Sequence, residues 1–250
     1  MTAITFGILL PLCGTALGAA GVFVLRGDLN RRVQSALSGF SAGIMAAASV
    51  WSLLIPAIEA SAEMERLSFL PAMIGLLCGV GGLILIDLIL PFLYARAEER
   101  RSSLCFAVTL HNRPEGMAVG AVFAGLLAGE EGITLAAAMT LSLGVAIQNV
   151  PEGAIVSMPQ YSRKGSRWGA FFTGAASGIV EPIGAAVTVL AASVIVPILP
   201  FLLGFAAGAM LYVVVEELIP EVAEGGYACT GNVMFAVGFS LMMALDVALG

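Results

Sequence analysis

The sequence predicts an all-α integral membrane protein: eight transmembrane helices with an inverted repeat (helices 1–3 and 6–8) around central helices 4 and 5. Three observations lead to this prediction. The 250 residues are 59% hydrophobic and 11% charged, whereas a soluble domain carries about 25% charged residues. Eight apolar segments are long enough to cross a bilayer. Two pairs of these segments also share local motifs.

The eight apolar segments lie at residues 2–25, 35–60, 68–94, 103–128, 132–158, 168–192, 197–220 and 231–250. A helix needs about 20 apolar residues to span a hydrocarbon core of about 30 Å, and each segment meets that length. Prolines and glycines leave the limits of segments 7 and 8 the least defined. Because the connecting loops are short, we expect one transmembrane domain over residues 1–250.

The orientation follows from the basic residues, which are retained on the cytoplasmic side of a membrane. The first segment lacks the basic region of a cleavable signal peptide, so we expect it to be retained. Loops 1, 3 and 5 hold most of the 11 Lys and Arg residues: Arg26, Arg31, Arg32, Arg96, Arg100, Arg101, Arg163, Lys164 and Arg167. This alternation predicts a multi-pass protein of the inner (plasma) membrane with both termini extracytoplasmic.

Composition also excludes several classes of protein. The net charge is -6 and no basic block is longer than "RKGSR", so we expect no nucleic-acid partner. The four cysteines are far apart and form no CxxC pair, which indicates apolar packing residues rather than metal ligands. No nucleotide-binding loop is present, so we expect no resident cofactor and no direct use of ATP.

The repeat is visible in helices 2 and 7. Helix 2 contains "GFSAGIM" and then "LIPAIE", and helix 7 contains "GFAAGAM" and then "LIPEVAE". More weakly, Asp87 in helix 3 resembles Asp246 in helix 8. With eight spans, helices 2 and 7 cross the membrane in opposite directions, so the repeat is inverted. Inverted repeats are characteristic of secondary transporters.

Helices 4 and 5 share a polar motif, "HNRPEG" at 111 and "QNVPEG" at 148. Residues four apart lie on one face of a helix, so His111 pairs with Glu115 and Gln148 pairs with Glu152. If the two pairs face each other, an imidazole, two carboxylates and an amide oxygen converge on one point. We interpret this arrangement as a divalent-metal cage.

Two further features of the same motif support that interpretation. Asn112 and Asn149 lie about 100° around their helices from the first face, where they can form a neighbouring site. Pro114 and Pro151 remove backbone donors, which leaves carbonyls in need of partners and favours a kink in each helix.

Two other helices offer candidate ligands. Glu181 follows the small-residue stretch "TGAASGIV" on helix 6, and Met45 on helix 2 carries a thioether suited to zinc or cadmium. A carboxylate at the centre of a span costs on the order of 3 kcal/mol. Five lie in or near spans: Glu115, Glu152, Glu181, Glu216 and Glu217. That cost favours a functional role over a structural one.

At these residues the chain resembles the ZIP (Zrt-/Irt-like protein) family of divalent-metal transporters, in particular its bacterial GufA-like branch. The two Asn-x-Pro-Glu-Gly motifs, the eight spans and the outward termini carry the resemblance, which covers essentially the whole chain. It implies a binuclear centre in which the two motif glutamates bridge the metals. The implied first site is Met45, His111, Glu115, Gln148 and Glu152, and the implied second site is Asn112, Glu115, Asn149, Glu152 and Glu181.

The resemblance has further implications. It implies that helices 1, 4, 5 and 6 form one bundle that packs against helices 2, 3, 7 and 8, and that the protein is a homodimer. It also implies that Ser52 and Glu59 line the outer entrance. Two positions depart from the family pattern: Arg113 occupies a commonly apolar position, and Asn149 stands where some relatives carry aspartate. Arg113 points about 200° away from His111, so we expect it to face the exterior of the bundle.

The sequence therefore predicts a transporter, not an enzyme, that moves a divalent metal toward the cytoplasm. Zinc is the first candidate, ahead of cadmium, iron and manganese. A metal-dependent intramembrane enzyme is the alternative; it requires an open metal position beside a water-activating group, and the HExxH pattern is absent because Asn112 follows His111. A structural or channel-like bundle is the third possibility.

Overall fold

The computed structural model describes residues 2–24, 29–94, 103–130 and 132–250, without the side chains of 90–94, 103–111, 163, 164 and 225. Over these residues the chain forms eight long helical segments and no strand. They are α1 (Thr2–Val24), α2 (Arg31–Glu59), α3 (Phe69–Tyr94), α4 (Ser103–Ala128), α5 (Leu135–Lys164), α6 (Arg167–Leu190), α7 (Ala192–Ala223) and α8 (Ala228–Leu249). The all-α prediction is confirmed.

Six of these segments, all except α4 and α5, are long and apolar enough to cross a membrane. The other two contain 26 and 30 residues, or about 39 and 45 Å at 1.5 Å per residue, and carry the polar motifs that lower their mean hydropathy. An integral membrane protein is therefore confirmed. The count of eight spans and the inverted repeat stay predictions.

The observed helix limits differ from the predicted ones mainly at polar ends. α2 begins at Arg31 instead of 35, because the Asn30 side chain caps it by accepting the Val33 N–H at 2.8 Å. α5 continues to Lys164, where Gly165 ends it in the left-handed conformation at φ +67°. Of the basic residues used for orientation, Arg26, Arg96, Arg100 and Arg101 lie outside the described residues.

The helices α1, α2, α6 and α7 contain irregular turns. The two helices that carry the motif prolines, α4 and α5, are continuous. A turn at residue 20 interrupts α1, and a break at 178–179 divides α6 into Arg167–Ser177 and Val180–Leu190. α2 and α7 each contain a π-helical stretch, described below. In contrast, α4 and α5 remain helical through Pro114 and Pro151.

Glycines allow the helices of the bundle to pack backbone to backbone. A Cβ at Gly14 would overlap the carbonyl of Ala146, which shows how closely α1 approaches α5. The same holds for Gly116 and the main chain of Glu181, between α4 and α6. Small residues permit this close approach in membrane helices, and it fixes the positions of α1, α5 and α6 around the polar motifs.

α2 and α7 share their irregularity as well as their sequence motif. A six-residue π-helical stretch, Ser49–Leu54, follows "GFSAGIM" in α2, and a five-residue stretch, Val214–Leu218, follows "GFAAGAM" in α7. Each begins at the equivalent position after its motif, and a proline follows each. π-helical turns occur frequently at functional sites.

Candidate metal centre

Two asparagine side chains hold the carboxylate of Glu181. Asn112 Nδ2 donates to Glu181 Oε1 at 2.8 Å, and Asn149 Nδ2 donates to Glu181 Oε2 at 2.7 Å. All three residues have at most 1% of their surface exposed. The Asn residues of the two sequence motifs therefore converge on one carboxylate of α6.

The second N–H of each amide reaches a main-chain carbonyl. Asn112 Nδ2 lies 3.4 Å from the carbonyl oxygen of Ser177 on α6, and Asn149 Nδ2 lies 3.3 Å from that of Pro11 on α1. Helices α1, α4, α5 and α6 thus meet around one buried polar cluster.

Glu115 and Gln148 form the next layer of this cluster. Gln148 Nε2 donates to Glu115 Oε1, and both side chains are buried. Three oxygens here are buried and lack a hydrogen-bond partner among the described residues: Glu115 Oε2, Gln148 Oε1 and Asn149 Oδ1. An unsatisfied buried polar group costs about 1–3 kcal/mol, so each such atom requires an explanation. A bound cation supplies one.

Three carboxyl groups of this region, those of Glu115, Glu152 and Glu181, lie close enough to repel one another. Glu115 interacts repulsively with Glu152 and Glu181, and Glu152 also repels Glu181. Like charges repel strongly where the dielectric constant is low. Arg113 is exposed, as predicted from its helical offset, and lies away from this face. The arrangement is suited to a divalent cation, which neutralises the carboxylates and accepts the unpaired oxygens as ligands.

The position of Glu181 depends on the break in α6. The helix restarts at Val180, so Glu181 lies in the first turn of the second half, where the helix dipole favours a carboxylate. Gly178, at the break, faces the side chain of Thr15 on α1 at a distance that leaves no room for a Cβ. The break and this close approach together place Glu181 between the two asparagines.

α2 contacts the same cluster from the other side. Ser41 Oγ donates to the main-chain carbonyl of Gln148 at 2.9 Å. Met45 lies one turn further along α2, on the same face, and is 1% exposed. The predicted ligand Met45 is therefore on the face of α2 that meets α5, but its role as a ligand stays a prediction.

His111 is the predicted ligand whose side chain lies outside the described part of the structure. Its backbone is one turn before Glu115 on α4. Within the described residues, no three or more His, Cys, Asp or Glu side chains are grouped so as to hold a metal. The donors that the structure does bring together are carboxylates and amides. Hydrogen bonds join Asn112, Asn149 and Glu181 and, separately, Glu115 and Gln148; Glu152 interacts electrostatically.

A second polar feature is a cavity of about 210 Å³ between α2, α8 and the connection from α4 to α5. Ser52 and Glu59 line it together with Asp246, whose Oδ1 accepts the Ser52 hydroxyl at 2.7 Å. Asp246 Oδ2 is buried and has no partner within the described part of the chain. Sequence reasoning singled out Ser52 and Glu59 but gave Asp246 no functional role, because its resemblance to Asp87 is the only signal.

Comparison with known proteins shows what kind of chain this is. The ZIP Zinc transporter family profile matches residues 94–246. The chain is 32% identical to Zinc transporter ZIP11 of Xenopus tropicalis, over 98% of this chain and 96% of that protein. This chain belongs to the ZIP zinc transporter family. The family prediction is confirmed, and members of this family transport divalent metals and are not enzymes.

Two bacterial ZIP proteins are also similar to this ZIP chain. Zinc transporter ZIPB of Bordetella bronchiseptica is 36% identical over 94% of this chain and 78% of that protein. Zinc transporter GufA of Myxococcus xanthus is 36% identical over 96% of both chains. The similarity extends over almost the whole chain, so it includes both polar motifs.

Proposed function

We propose that this ZIP protein carries zinc across the inner (plasma) membrane toward the cytoplasm through a binuclear centre on α4 and α5. The observation that supports this most directly is the group of unpaired buried oxygens on Glu115, Gln148 and Asn149, surrounded by three mutually repelling carboxylates. The names of the similar proteins favour zinc over cadmium, iron and manganese.

The proposed centre has two sites that share the motif glutamates. The first uses Met45, His111, Glu115, Gln148 and Glu152; the second uses Asn112, Glu115, Asn149, Glu152 and Glu181. The electrostatic coupling of Glu115 with both Glu152 and Glu181 supports a bridging role for Glu115, since one carboxylate then lies near the donors of both sites.

The proposed transport cycle rocks one bundle (α1, α4, α5 and α6) against the other (α2, α3, α7 and α8). Among the described glycines, those that approach another helix's backbone too closely for a Cβ lie within one bundle: α1 with α5, α4 with α6, α2 with α8, and α3 with α7. Each bundle is thus tightly joined internally, whereas Gly144, which faces the other bundle, has the side chain of Met242 as its close neighbour. This difference supports movement between the bundles.

The membrane arrangement completes the proposal. Eight spans with both termini extracytoplasmic place the cavity at Ser52 and Asp246 at the outer end of the path. The π-helical stretches of α2 and α7, which begin at equivalent positions in the two sequence motifs, support the inverted repeat. α3 and α8 expose many large apolar side chains, and we assign these faces to lipid and to the second subunit of a homodimer.

Zinc uptake into proteoliposomes tests the proposed function. His111→Ala and Glu152→Ala each remove a proposed ligand, and we expect each to lower the initial rate at least about tenfold, as even an outer-shell change at a metal site does. Glu63→Ala is the control, because Glu63 is exposed in the α2–α3 connection. Unchanged uptake in both ligand variants overturns the proposal.

The outer cavity gives a separate prediction. Asp246→Asn is expected to raise the zinc concentration needed for half-maximal uptake several-fold while changing the maximal rate less, because the variant loses a charge that attracts the cation. Asp87→Asn is the matched control: Asp87 also accepts a hydroxyl hydrogen bond, from Tyr212 at 2.7 Å, but does not line this cavity. Equal effects of the two substitutions contradict an entrance role for Asp246.

A further inference from the structure

The orientation of the Asn149 amide is fixed by two oxygen atoms, one of which belongs to a main-chain carbonyl and can only accept hydrogen bonds. Nδ2 donates at 3.3 Å to the carbonyl oxygen of Pro11 and at 2.7 Å to Glu181 Oε2. The Pro11 carbonyl has no hydrogen, and an ionised Glu181 has none either, so the nitrogen faces both. Oδ1 of Asn149 consequently points away from them, and it is buried without a partner within the described residues.

Asn112 repeats this arrangement on the other side of Glu181. Its Nδ2 donates at 2.8 Å to Glu181 Oε1 and at 3.4 Å to the carbonyl oxygen of Ser177. Each asparagine therefore joins one oxygen of Glu181 to one main-chain carbonyl. The carboxylate is held symmetrically, and both N–H groups of each amide donate hydrogen bonds.

The Pro11 carbonyl is held in place by the packing of α1 against α5. A Cβ at Gly14 or Gly18 of α1 would overlap main-chain atoms of Ala146 or Val150, and a Cβ at Gly153 of α5 would overlap the carbonyl of Thr15. These three contacts surround Asn149 along the helix interface and leave α1 little freedom to withdraw. The carbonyl is thus a rigid acceptor opposite position 149.

We propose that the main-chain carbonyl of Pro11 is a positioning group of the metal centre, and that it favours an amide over a carboxylate at position 149 in the metal-free protein. The proposal rests on the proposed function only in taking Asn149 Oδ1 as a zinc ligand. An aspartate at 149 would face the Pro11 carbonyl and Glu181 with an oxygen in place of the donor. Without metal, one proton shared with Glu181 can restore at most one of the two contacts, so the Pro11 carbonyl loses its donor. Counting charges alone gives the opposite expectation, that aspartate simply improves the site.

A single carbonyl resonance can report this contact. The sequence contains one Pro–Leu pair, Pro11–Leu12, so full-length protein with ¹³C-carbonyl proline and ¹⁵N-leucine gives one carbonyl–amide cross-peak from this peptide. The spectra are recorded in lipid nanodiscs with EDTA. Asn149→Asp is expected to shift the Pro11 carbonyl carbon upfield, because the carbonyl loses a hydrogen bond. The same variant is expected to melt at a lower temperature than wild type in EDTA and to gain more from added zinc.

Gln148→Glu is the matched control, since it makes the same chemical change one residue away. Gln148 Nε2 bonds to Glu115 and not to α1, so the Pro11 resonance is expected to stay in place. A resonance that does not move in Asn149→Asp, or that moves equally in Gln148→Glu, overturns the proposal.

Two provisions keep the test decisive. If Asn149→Asp does not fold, Asn149→Leu removes the donor without adding charge, and an unmoved Pro11 resonance in that variant also overturns the proposal. Because the spectra are recorded without zinc, they do not depend on transport. Absence of zinc uptake by the wild type would therefore refute the proposed function. The contact between Asn149 and the Pro11 carbonyl would still be tested by the Pro11 resonance.

Discussion

Zinc uptake is expected to be lost when Glu115 is replaced by glutamine, while the metal-free protein becomes more stable. Glutamine has the same shape, and its Oε1 can still accept the hydrogen bond that Gln148 donates in the wild type. The substitution removes the repulsion of Glu115 by Glu152 and Glu181. A buried charge within a membrane segment costs on the order of 3 kcal/mol, so removing this one should stabilise the protein by up to about 3 kcal/mol.

Two measurements on the same variant separate these effects. The melting temperature in EDTA is expected to rise, and the stabilisation that added zinc gives to the wild type is expected to shrink or disappear. Zinc uptake into proteoliposomes is expected to fall to background. Glu63→Gln, which neutralises an exposed carboxylate, should change neither quantity. If Glu115→Gln melts earlier than the wild type without metal, Glu115 is a structural residue and its role as a ligand is wrong.

Glu115→Gln is expected to lower zinc uptake and to raise metal-free stability because of how the site is built. An ordinary buried polar network has its donors and acceptors matched, so any substitution weakens it. Here Glu115 Oε2 and the amide oxygens of Gln148 and Asn149 have no donor within the described part of the structure. The metal-free fold is therefore destabilised locally by these unpaired oxygens, and a bound cation offsets that free-energy cost. A substitution that relieves the cost also removes the binding site.

The i, i+4 spacing made part of this site predictable from the sequence. Because helix geometry is regular, the positions of Glu115, Gln148 and the two asparagines relative to their own helices follow from the motifs alone. The structure adds how the helices are placed. Both asparagines, Asn112 and Asn149, reach Glu181. This convergence depends on the break of α6 at 178–179 and on the glycine contacts of α4 with α6, and no local sequence pattern specifies either feature.

Other features carry little or no signal in the sequence. The Pro11 carbonyl is a main-chain group, so residue identity does not reveal that it contacts Asn149. Asp246 bonds to Ser52, which lies in the π-helical stretch of α2, and no sequence pattern marks that stretch. Hydropathy predicted where the apolar segments lie, but it could not locate the π-helical stretches, and it placed the start of α2 four residues late because Arg31 and Arg32 are polar residues within the first helical turn.

Gly14→Ala is expected to destabilise the protein strongly, although Gly14 lies outside the proposed ligand set. The new Cβ would overlap the carbonyl of Ala146, and neither backbone can move without separating α1 from α5. Overpacking of this kind costs about 1–3 kcal/mol. Moving α1 away also takes the Pro11 carbonyl from Asn149, so zinc uptake is expected to fall together with the melting temperature in EDTA.

Gly81→Ala on α3 is the matched control. A Cβ at Gly81 meets no heavy atom of the described residues within 4 Å, and alanine favours a helix over glycine by up to about 1 kcal/mol. This variant should therefore melt at or slightly above the wild-type temperature and transport normally. The two substitutions add the same methyl group to the same residue type, so a difference between them measures the space at the α1–α5 contact. Equal melting temperatures would show that α1 can shift without cost, and the rigid placement of the Pro11 carbonyl against Asn149 would then be wrong.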